Sequence, residues 1–484
     1  MGKQKAPVEK NDELVLEIMD MSADGEGIGR AGGYALFVKD AMPGDIIKAK
    51  VLKTKKNYGF ARLLEILTPS PERVEPLCTV ARQCGGCQIM HCSYEKQLAW
   101  KEEKVANCLR RIGGISIMTE NEAAQGGANQ DTIIMEPIMG MDMPYHYRNK
   151  AQFPVGCDKE GNIKIGFYAG RTHTIIPQTD CAIQDTCNYP ILECVKSWME
   201  EYHIKPYDEK TNKGLMRHIL IRTGYTTGEV MVCLVINEKK LPKSTELIER
   251  LKNLKLGVEN ARKIVSICLN HNTKNTNVIL GDKVSVLYGR DYIEDCIGDI
   301  RYRISPQSFY QVNPEQTKKL YETALSYADL HGKEVVWDLY CGIGTISLFL
   351  AQRAKQVYGV EIVPQAIEDA KKNAALNNIE NAEFFVGAAE EVMPKMYEKS
   401  GDSMRADVIT LDPPRKGCDE KLLEVVISMQ PQRIVYVSCD PATLARDVKY
   451  LKENGYEVAR VRCCDMFGHS GHVESICLLE RRDM

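Results

Sequence analysis

The chain has 484 residues, a net charge of −3 and an apolar content of 44%. At about 150 residues per domain, this length predicts about three domains with well-formed cores. The small net charge excludes a general affinity for polyanions, so any surface for nucleic acid must be a local patch. The N-terminus lacks an apolar core segment, and no run approaches about 18 apolar residues. We therefore expect a soluble, non-secreted protein of the cytoplasm with no membrane partner.

The predicted elements begin with a small all-β barrel. Residues 1–10 are polar, which predicts a disordered tail, and residues 11–68 alternate in short strands punctuated by glycines. The stretch 46–62 has no acidic residue, and Tyr58 and Phe60 lie among its basic ones. The basic residues are Lys48, Lys50, Lys53, Lys55, Lys56 and Arg62. Such a surface suits single-stranded RNA through phosphate attraction and base stacking, and an ordinary solvated strand pair is the alternative. The stretch also resembles the TRAM domain, an OB-like RNA-binding module.

A cysteine-rich loop follows the barrel. Cys78, Cys84 and Cys87 are separated by five and two residues, and two glycines precede the third thiol. This spacing is typical of metal sites. Both iron–sulfur clusters and zinc accept four thiolates, so the spacing does not distinguish between these two kinds of metal site. A structural loop that binds no metal is the alternative. In an intracellular chain, 18 cysteines indicate thiols, metal binding or catalysis rather than disulfides. The candidates for a fourth ligand are Cys92, Cys157, Cys181 and Cys187.

Residues 69–312, which include this loop, are predicted to form a central α+β domain. Residues 93–112 have the apolar spacing of an amphipathic helix, and residues 118–132 have the composition of a flexible loop. Strand patterns dominate residues 145–287, with one helix among them. The segment 145–150 is basic and aromatic enough to contact RNA, with little specificity.

Residues 313–484 alternate between helix and strand patterns. Because strand–helix–strand connections are right-handed, this alternation predicts a doubly wound α/β sheet that binds its ligands at the carboxyl ends of the strands. The predicted strands are 335–337, 357–360, 384–386, 408–411, 434–437 and 473–480.

The first strand–helix junction of this sheet has the pattern of a nucleoside-cofactor site. Asp338 is followed by Gly342 and Gly344, which let a ligand approach the backbone, and Glu361 ends the next strand, where it is placed to bind ribose hydroxyls. A dinucleotide fingerprint would have glycine or alanine where Ser347 stands. The pattern therefore favours S-adenosylmethionine, which has no pyrophosphate, over NAD.

Two further strand ends carry reactive groups. Asp412 opens the motif Asp-Pro-Pro-Arg, and Arg415 stands where amino-methyltransferases have an aromatic residue, so methylation of an exocyclic amine is not favoured. Cys439 follows the strand 434–437, and Asp440 is expected to cap a helix there. A thiol beside a helix N-terminus is expected to have a lowered pKa and to act as a nucleophile. A small buried structural cysteine is the alternative.

A thiol and a carboxylate at one crevice would meet the chemical needs of uracil methylation. C5 of uracil is too weak a nucleophile to take a methyl group directly, and a thiolate that adds at C6 makes an enolate whose C5 can. A base must then remove the C5 proton so that the thiol can leave. Glu474, on the loop entering the last strand, is the candidate base, although a glutamate there is more often a surface or cap residue.

These residues resemble those of the bacterial RNA uracil-C5 methyltransferases, particularly those that make 5-methyluridine in the large ribosomal RNA. The resemblance spans nearly the whole chain and implies a class I S-adenosylmethionine-dependent methyltransferase domain at 313–484. The matching motifs are Ser305-Pro306, Gln311-Val-Asn313, Asp338-Leu-Tyr340-Cys-Gly-Ile-Gly344, Asp412-Pro-Pro-Arg415, Ser438-Cys439-Asp-Pro-Ala-Thr-Leu-Ala-Arg446-Asp447 and His472-Val-Glu474.

The resemblance also implies a role for each site residue. Cys439 is the nucleophile and Glu474 is the base that removes the proton. Thr345 departs from relatives that place a cofactor-contacting asparagine there, which puts that one contact in doubt. The implied cofactor-contacting residues are Gln311, Tyr340, Glu361 and Asp412. The implied ligands of a [4Fe–4S] cluster are Cys78, Cys84, Cys87 and Cys181.

The implied substrate is 23S ribosomal RNA, because tRNA-specific relatives generally lack the barrel and the cysteine loop. We expect the protein to be a monomer. The alternatives are a tRNA uracil-C5 methyltransferase and, in another class, a non-catalytic RNA-binding protein on a methyltransferase fold. The presence of Cys439, Glu474, Gly342 and Gly344 together favours an enzyme. The motifs do not indicate whether one or two ribosomal uridines are methylated.

Overall fold

The computed structural model describes residues 6–126, 128–257 and 261–482. The first of its two compact units comprises the described residues up to Lys104 together with Phe167–Ile176 and Phe467–His472. The second unit comprises the other described residues. Residues 1–5 of the predicted tail lie outside the described ranges. No helix within those ranges is long and apolar enough to cross a membrane.

The first unit contains a closed five-stranded barrel, as predicted. Its strands are β1 (Glu13–Met21), β2 (Gly27–Ala31), β3 (Tyr34–Lys39), β4 (Ile46–Thr54) and β5 (Tyr58–Thr68). They pair in the order β1-β2-β3-β5-β4. Alternate side chains of a strand point to opposite faces, so Leu36 and Val38 of β3 and Ile47 and Val51 of β4 fill the core. Val8 is 6% exposed and packs on this core, so the described end of the predicted tail belongs to the barrel.

One long helix and four short elements follow within the described residues. They are α1 (Tyr94–Arg111), β6 (Ile117–Met118), α2 (Glu120–Ala124), β7 (Ile133–Ile134) and β8 (Glu136–Met139). The helix α1 matches the predicted amphipathic helix. The region 118–132, predicted to be a flexible loop, contains α2, because Thr119 and Glu122 form a capping box that the Thr-x-x-Glu spacing encodes.

The central residues have α+β architecture, as predicted. Their elements are β9 (Lys150–Cys157), β10 (Ile163–Tyr168), β11 (Ile175–Pro177), α3 (Asn188–Glu201), β12 (Met216–Thr223), β13 (Glu229–Ile236), α4 (Ser244–Lys252), β14 (Lys263–His271), β15 (Lys283–Gly289), β16 (Ile293–Ile297) and β17 (Ile300–Ile304). Strands β9, β12, β13, β14 and β15 lie side by side in one sheet. The β13–β14 pair is parallel, and the other three pairs among these strands are antiparallel.

The C-terminal residues form the predicted doubly wound sheet. Its elements are α5 (Pro314–Ala328), β18 (Val335–Leu339), α6 (Thr345–Ala351), β19 (Gln356–Glu361), α7 (Pro364–Leu376), β20 (Ala382–Val386), α8 (Ala389–Ser400), β21 (Val408–Leu411), α9 (Glu420–Met429), β22 (Arg433–Ser438), α10 (Pro441–Glu453), β23 (Tyr456–Cys464) and β24 (Glu474–Arg481). The strand order is β20-β19-β18-β21-β22-β24-β23-β8. The five strands from β20 to β22 are parallel, and β24 is antiparallel to both of its neighbours.

The core of this sheet includes residues from before the central sheet. Val105, Leu109 and Met135 pack in the same buried cluster as Trp337, and β8 pairs with β23 at the edge of the sheet. The sequence assigns these residues to the central domain. A four-residue strand that contains proline is too short for its periodicity to show which sheet it joins.

Candidate active site

Parallel strands bring the predicted site residues to one edge of the sheet. Leu339 of β18 pairs with Val360 of β19 and Leu411 of β21, and Leu411 pairs with Tyr436 of β22. Because these strands run in the same direction, the segments that leave their carboxyl ends start at the same edge. The predicted residues at or just beyond these strand ends are Asp338, Tyr340, Glu361, Asp412 and Cys439.

The loop from β18 to α6 leaves its backbone open beside Glu361. Gly342 and Gly344 have φ values of +55° and +81°, and a Cβ at Gly344 would lie 3.1 Å from the Phe384 ring. The Gly342 amide donates to one carboxylate oxygen of Glu361 (3.3 Å), and the Val363 amide donates to the other (2.9 Å). These bonds hold the carboxylate at the mouth of the loop. A nucleoside with ribose hydroxyls fits this arrangement.

Tyr340, in the same loop, has a backbone conformation that is rare for a residue with a side chain. Its φ is +70°, in the left-handed region. Its partly buried ring packs against the core of the sheet, and burial raises the pKa of its hydroxyl. Strained residues of this kind cluster at functional sites.

Asp338 is fully buried at the end of β18 and has two hydroxyl partners. Ser347 of α6 donates to one carboxylate oxygen (2.5 Å), and Thr410 of β21 donates to the other (2.8 Å). Burial raises the pKa of Asp338 to about 6, although both hydroxyls act to lower it. Ser347, which replaces the third glycine of a dinucleotide fingerprint, therefore has a specific partner that the sequence did not reveal.

Gln311 lies on a buried segment that a second chain segment holds in place. It is 7% exposed, and its carbonyl accepts a hydrogen bond from Nδ2 of Asn149 (3.0 Å). The Asn149 amide donates to the carbonyl of Val312 (2.9 Å). Asn149 thus fixes the backbone of Gln311, a role that sequence analysis missed. The Thr345 hydroxyl, the departure noted above, bonds to the Tyr321 hydroxyl (3.0 Å).

Cys439 is held between the end of β22 and the start of α10. Asp440 caps the helix, as expected, because its carboxylate accepts from the amides of Ala442 (2.9 Å) and Thr443 (3.1 Å). The Ser438 hydroxyl also accepts from the Asp440 amide (3.1 Å). Bonds on both sides of Cys439 therefore fix its backbone.

The expected lowering of the Cys439 pKa is wrong. Burial raises the pKa of this thiol to about 11, and the charges of Glu474 and Asp412 raise it further, while Arg415 opposes them. A helix N-terminus contributes about 0.3–1 kcal/mol to a nearby charge, which is too little to offset burial beside two carboxyls. The thiol is neutral in the free protein at neutral pH.

Glu474 is the first residue of β24, and Cys439 directly follows the neighbouring strand β22. Ser438 pairs with Ser475, so Cys439 and Glu474 lie one residue beyond the last pair on each strand. Glu474 is 3% exposed, so it is not a surface residue. Burial, followed by the charge of Asp412, raises the pKa of Glu474 to about 8.

Three carboxyls interact within this edge of the sheet. Burial and the charge of Asp338 raise the pKa of Asp412 to about 7, and Asp412 in turn acts on Glu474. Such a group favours a cationic ligand, because a positive charge would stabilise the ionised carboxylates. The sulfonium centre of S-adenosylmethionine carries a charge of this sign.

The loop after Asp412 is fastened to α10. The carbonyl of Arg415 accepts from the Thr443 hydroxyl (3.3 Å), and Arg446 donates to the carbonyl of Cys418 (3.2 Å). A carboxylate oxygen of Asp447 accepts from the Cys418 amide (2.8 Å). This places the Arg415 guanidinium near enough to lower the pKa values of Cys439 and Glu474.

The cysteine loop belongs to the first unit, whereas Cys181 belongs to the second. Burial raises the pKa of Cys84, the nearby Cys78 thiol raises it further, and the Gly86 amide donates to the Cys84 sulfur (3.4 Å). Throughout the described ranges, no group of three or more His, Cys, Asp or Glu side chains is arranged to hold a metal ion. The structure therefore does not support the predicted [4Fe–4S] set of Cys78, Cys84, Cys87 and Cys181.

The fold and the site define a class of protein. A doubly wound sheet with an open glycine loop, a carboxylate at the end of the next strand and an acidic edge is the architecture of an S-adenosylmethionine-dependent methyltransferase. A family model described as tRNA (Uracil-5-)-methyltransferase matches residues 143–482, and a TRAM domain model matches residues 7–64. The chain belongs to the RNA (uracil-5-)-methyltransferase family and carries an N-terminal TRAM domain.

Individual relatives agree with this assignment. An RNA methyltransferase of Halalkalibacterium halodurans, described as uncharacterised, is 50% identical over 483 residues, which cover 100% of both chains. Another from Clostridium tetani is 47% identical over 99% of this chain and 98% of that one. The crystal structure of Pyrococcus abyssi tRNA (uracil-54, C5)-methyltransferase in complex with S-adenosyl-L-homocysteine has a TM-score of 0.75 and 27% identity, and covers 96% of this chain and 99% of that chain.

The predicted reaction, methylation of uracil C5 in RNA with S-adenosylmethionine, is thus confirmed. The chain is an S-adenosylmethionine-dependent RNA uracil-5-methyltransferase, and RNA is its substrate. The prediction of an enzyme, rather than a non-catalytic RNA-binding protein on the same fold, is supported by the same comparisons.

Proposed function

We propose that the enzyme methylates C5 of uracil in 23S ribosomal RNA through a covalent bond between Cys439 and C6, with Glu474 as the base. The observation that carries this proposal is the β22–β24 register, which places Cys439 and Glu474 one residue beyond the Ser438–Ser475 pair. Both side chains also interact electrostatically with Asp412 at the end of β21. A nucleophile and a base are therefore adjacent at the cofactor edge of the sheet.

The two residues act in sequence. Cys439 loses its proton to water and its sulfur adds to C6, which makes C5 the nucleophilic carbon of an enolate. S-adenosylmethionine, when bound, supplies the electrophilic methyl group that C5 takes. The Glu474 carboxylate then removes the C5 proton, the C5–C6 double bond re-forms and the sulfur of Cys439 leaves. Glu474 must be ionised to accept this proton, so its pKa of about 8 predicts faster release of product as the pH rises through that value.

Four residues are proposed to contact the cofactor. Glu361, held by two amides, would bind the ribose hydroxyls, and Tyr340, within the glycine loop, would contact the cofactor. Asp412 follows β21 at this edge and Gln311 is buried, and both are proposed to orient the cofactor.

Ribosomal RNA is proposed as the substrate because the chain's motifs resemble those of the enzymes that make 5-methyluridine in the large ribosomal RNA. Transfer RNA is the second candidate, because the similar Pyrococcus abyssi enzyme, a tRNA (uracil-54, C5)-methyltransferase, covers 96% of this chain.

Mapping of 5-methyluridine separates the two substrates. Ribosomal and transfer RNA are purified from cells with and without the gene and digested for mass spectrometry. We expect one or more 23S positions to lose the methyl group while tRNA is unchanged. Loss confined to tRNA would contradict the ribosomal assignment and leave the uracil-C5 chemistry in place.

We also propose that Cys78, Cys84, Cys87 and Cys181 hold a [4Fe–4S] cluster. Support comes from the thiol spacing and from the family resemblance. Anaerobically purified protein should then be brown and contain iron and sulfide, and Cys84→Ser should remove the colour. Colourless protein with one equivalent of zinc, or with no metal, would contradict the cluster.

A further inference from the structure

A pocket of about 490 Å³ lies in the first unit, between the cysteine loop and residues 167–173. Gly85 of the cysteine loop and Gly170 of the second segment both line it. The Gly85 amide donates to the carbonyl of Tyr168 (3.1 Å), and a Cβ at Gly85 would lie 3.1 Å from the Cα of Gly170. A side chain at Gly85 would have to push the opposite chain away, so the two segments need this glycine to approach each other.

The wall of this pocket, which we call the Gly85 pocket, has an aromatic surface and a cation. The rings of Tyr168 and His173 stack with their centroids 5.0 Å apart and an angle of 22° between their planes. His173 and Arg171 are both exposed. Arg171 has a φ of +61°, a left-handed conformation that sharply turns the chain between the two rings. A flat aromatic surface, peptide groups and a guanidinium are the groups that recognise a nucleobase.

The surroundings of the pocket are also suited to a nucleic acid. Lys39 donates to the carbonyl of Arg82 (2.8 Å), and the Lys39 charge acts on the Cys84 thiol, so cations lie close to the cysteine loop. Glu26 interacts electrostatically with Arg171 and partly offsets its charge. The same unit contains the TRAM barrel.

We propose that the Gly85 pocket binds one nucleobase of single-stranded RNA other than the target uridine. This inference rests on the proposed function, because it needs an RNA substrate. All residues that line the pocket belong to the first unit, whereas Cys439 and Glu474 belong to the second. The pocket contributes to RNA affinity and to the choice of sequence, and none of its lining residues is one of those proposed for the chemistry.

The test compares RNA binding by His173→Ala and His173→Phe in the full-length protein. Loss of one base–aromatic stack should raise the Kd for RNA by about 5- to 150-fold. The kcat at saturating RNA and the affinity for S-adenosylhomocysteine should not change. His173→Phe keeps a flat ring and should restore most of the affinity. Tyr189→Ala removes an exposed aromatic ring of the second unit and is the matched control that should bind normally.

Two further measurements identify the base and the charge. Abasic substitutions along the RNA should include one position that weakens binding to the wild-type protein and has no further effect on His173→Ala. Arg171→Ala should reduce the salt dependence of binding by up to about 0.7 log unit, as for one lost contact with a single-stranded phosphate. Its effect on affinity should be smaller than that of His173→Ala, because Glu26 already offsets part of the Arg171 charge.

The outcomes separate this proposal from the proposed function. If His173→Ala binds RNA as tightly as wild type while 5-methyluridine forms normally, the pocket is not a base site and the enzymatic assignment stands. If His173→Ala loses affinity and His173→Phe regains it while the wild-type protein makes no 5-methyluridine, the pocket stands and the assigned reaction is wrong. Equal losses in both variants, with S-adenosylhomocysteine binding retained, would contradict base stacking.

Discussion

The active-site edge of the second unit and the cysteine loop of the first unit differ in how their residues are positioned. Asp412 and Cys439 follow buried parallel strands whose register is set by a ladder of hydrogen bonds. Cys78 and Cys84 lie in a loop held by turns, in which the Ala81 amide donates to the carbonyl of Cys78 (3.1 Å) and the Cys84 amide donates to that of Val80 (2.8 Å).

This difference explains why one site was easier to predict than the other. In a parallel sheet, residues at successive strand ends must lie at one edge, so sequence spacing converts directly into spatial position. A loop has no such rule, and three thiols with metal-type spacing do not identify the fourth ligand. The predictions below test whether the two regions also contribute differently, with chemistry at the sheet edge and RNA affinity in the first unit.

The largest expected effect is that of Cys439→Ala. Without the sulfur no bond to C6 can form, so product should fall below detection while RNA and S-adenosylhomocysteine bind with normal affinity. Methyl transfer from labelled S-adenosylmethionine measures the product. Cys296→Ser changes another partly buried cysteine and serves as the control. Activity in Cys439→Ala would show that the sheet edge does not supply the nucleophile.

The sequence predicted the backbone of this edge better than its electrostatics. The cap at Asp440 and the position of Glu361 at a strand end follow from local rules, and both are present. The raised pKa of Cys439 does not follow from them, because it depends on burial and on Asp412 and Glu474, which are distant in the chain.

Other differences have the same origin. The bond between Ser347 and Asp338 joins a helix to the strand before it, and the packing of Val105, Leu109 and Met135 against the C-terminal sheet joins distant parts of the chain. The barrel was predicted correctly because short alternating strands and glycine turns are local signals. In each case, the sequence predicted local structure correctly but did not predict which separate elements contact each other.

A second prediction concerns the pH dependence of cofactor binding. Asp412 and Glu474 have pKa values raised to about 7 and about 8, so at pH 6 both are mainly protonated. Binding of a cationic ligand favours the ionised forms of both carboxyls, so the protein releases protons when the ligand binds. Binding that releases protons becomes tighter as the pH rises. Affinity for S-adenosylmethionine should therefore increase from about pH 6 to about pH 8.5, by up to about tenfold per pH unit for each proton released.

S-adenosylhomocysteine, whose sulfur is neutral, is the matched control for this experiment. Calorimetry across the pH range should show little change in its affinity, and Asp412→Asn should flatten the pH dependence for S-adenosylmethionine. Equal pH dependence for the two ligands would mean that the acidic edge does not sense the sulfonium charge.

The smallest effect on chemistry is expected from the barrel. Lys53, Lys55 and Lys56 are exposed, whereas Lys48 forms an ion pair with Glu13 (3.0 Å). Replacing the three exposed lysines by glutamate should flatten the salt dependence of RNA binding by about 0.7–0.9 log unit for each lost phosphate contact. Lys48→Ala should change it less, because that charge is already partnered. Fluorescence titrations at several salt concentrations give the slopes, and an unchanged slope would exclude this face from RNA binding.

The most direct test of the central claim is the fate of RNA in Glu474→Gln. This variant keeps the shape of the side chain and removes the base, so Cys439 should add to C6 and the methyl group should be transferred. The C5 proton then cannot leave at the normal rate, and general-base loss of about 10²–10⁴-fold is enough for the adduct to accumulate. Denaturing electrophoresis with labelled RNA and labelled methyl donor should show both labels on the protein, and Cys439→Ala in the same background should abolish them. Free, fully methylated RNA released by Glu474→Gln at the wild-type rate would contradict the account and place the base elsewhere. Asp412 and Asp465, which is buried directly after β23, would be the next residues to test.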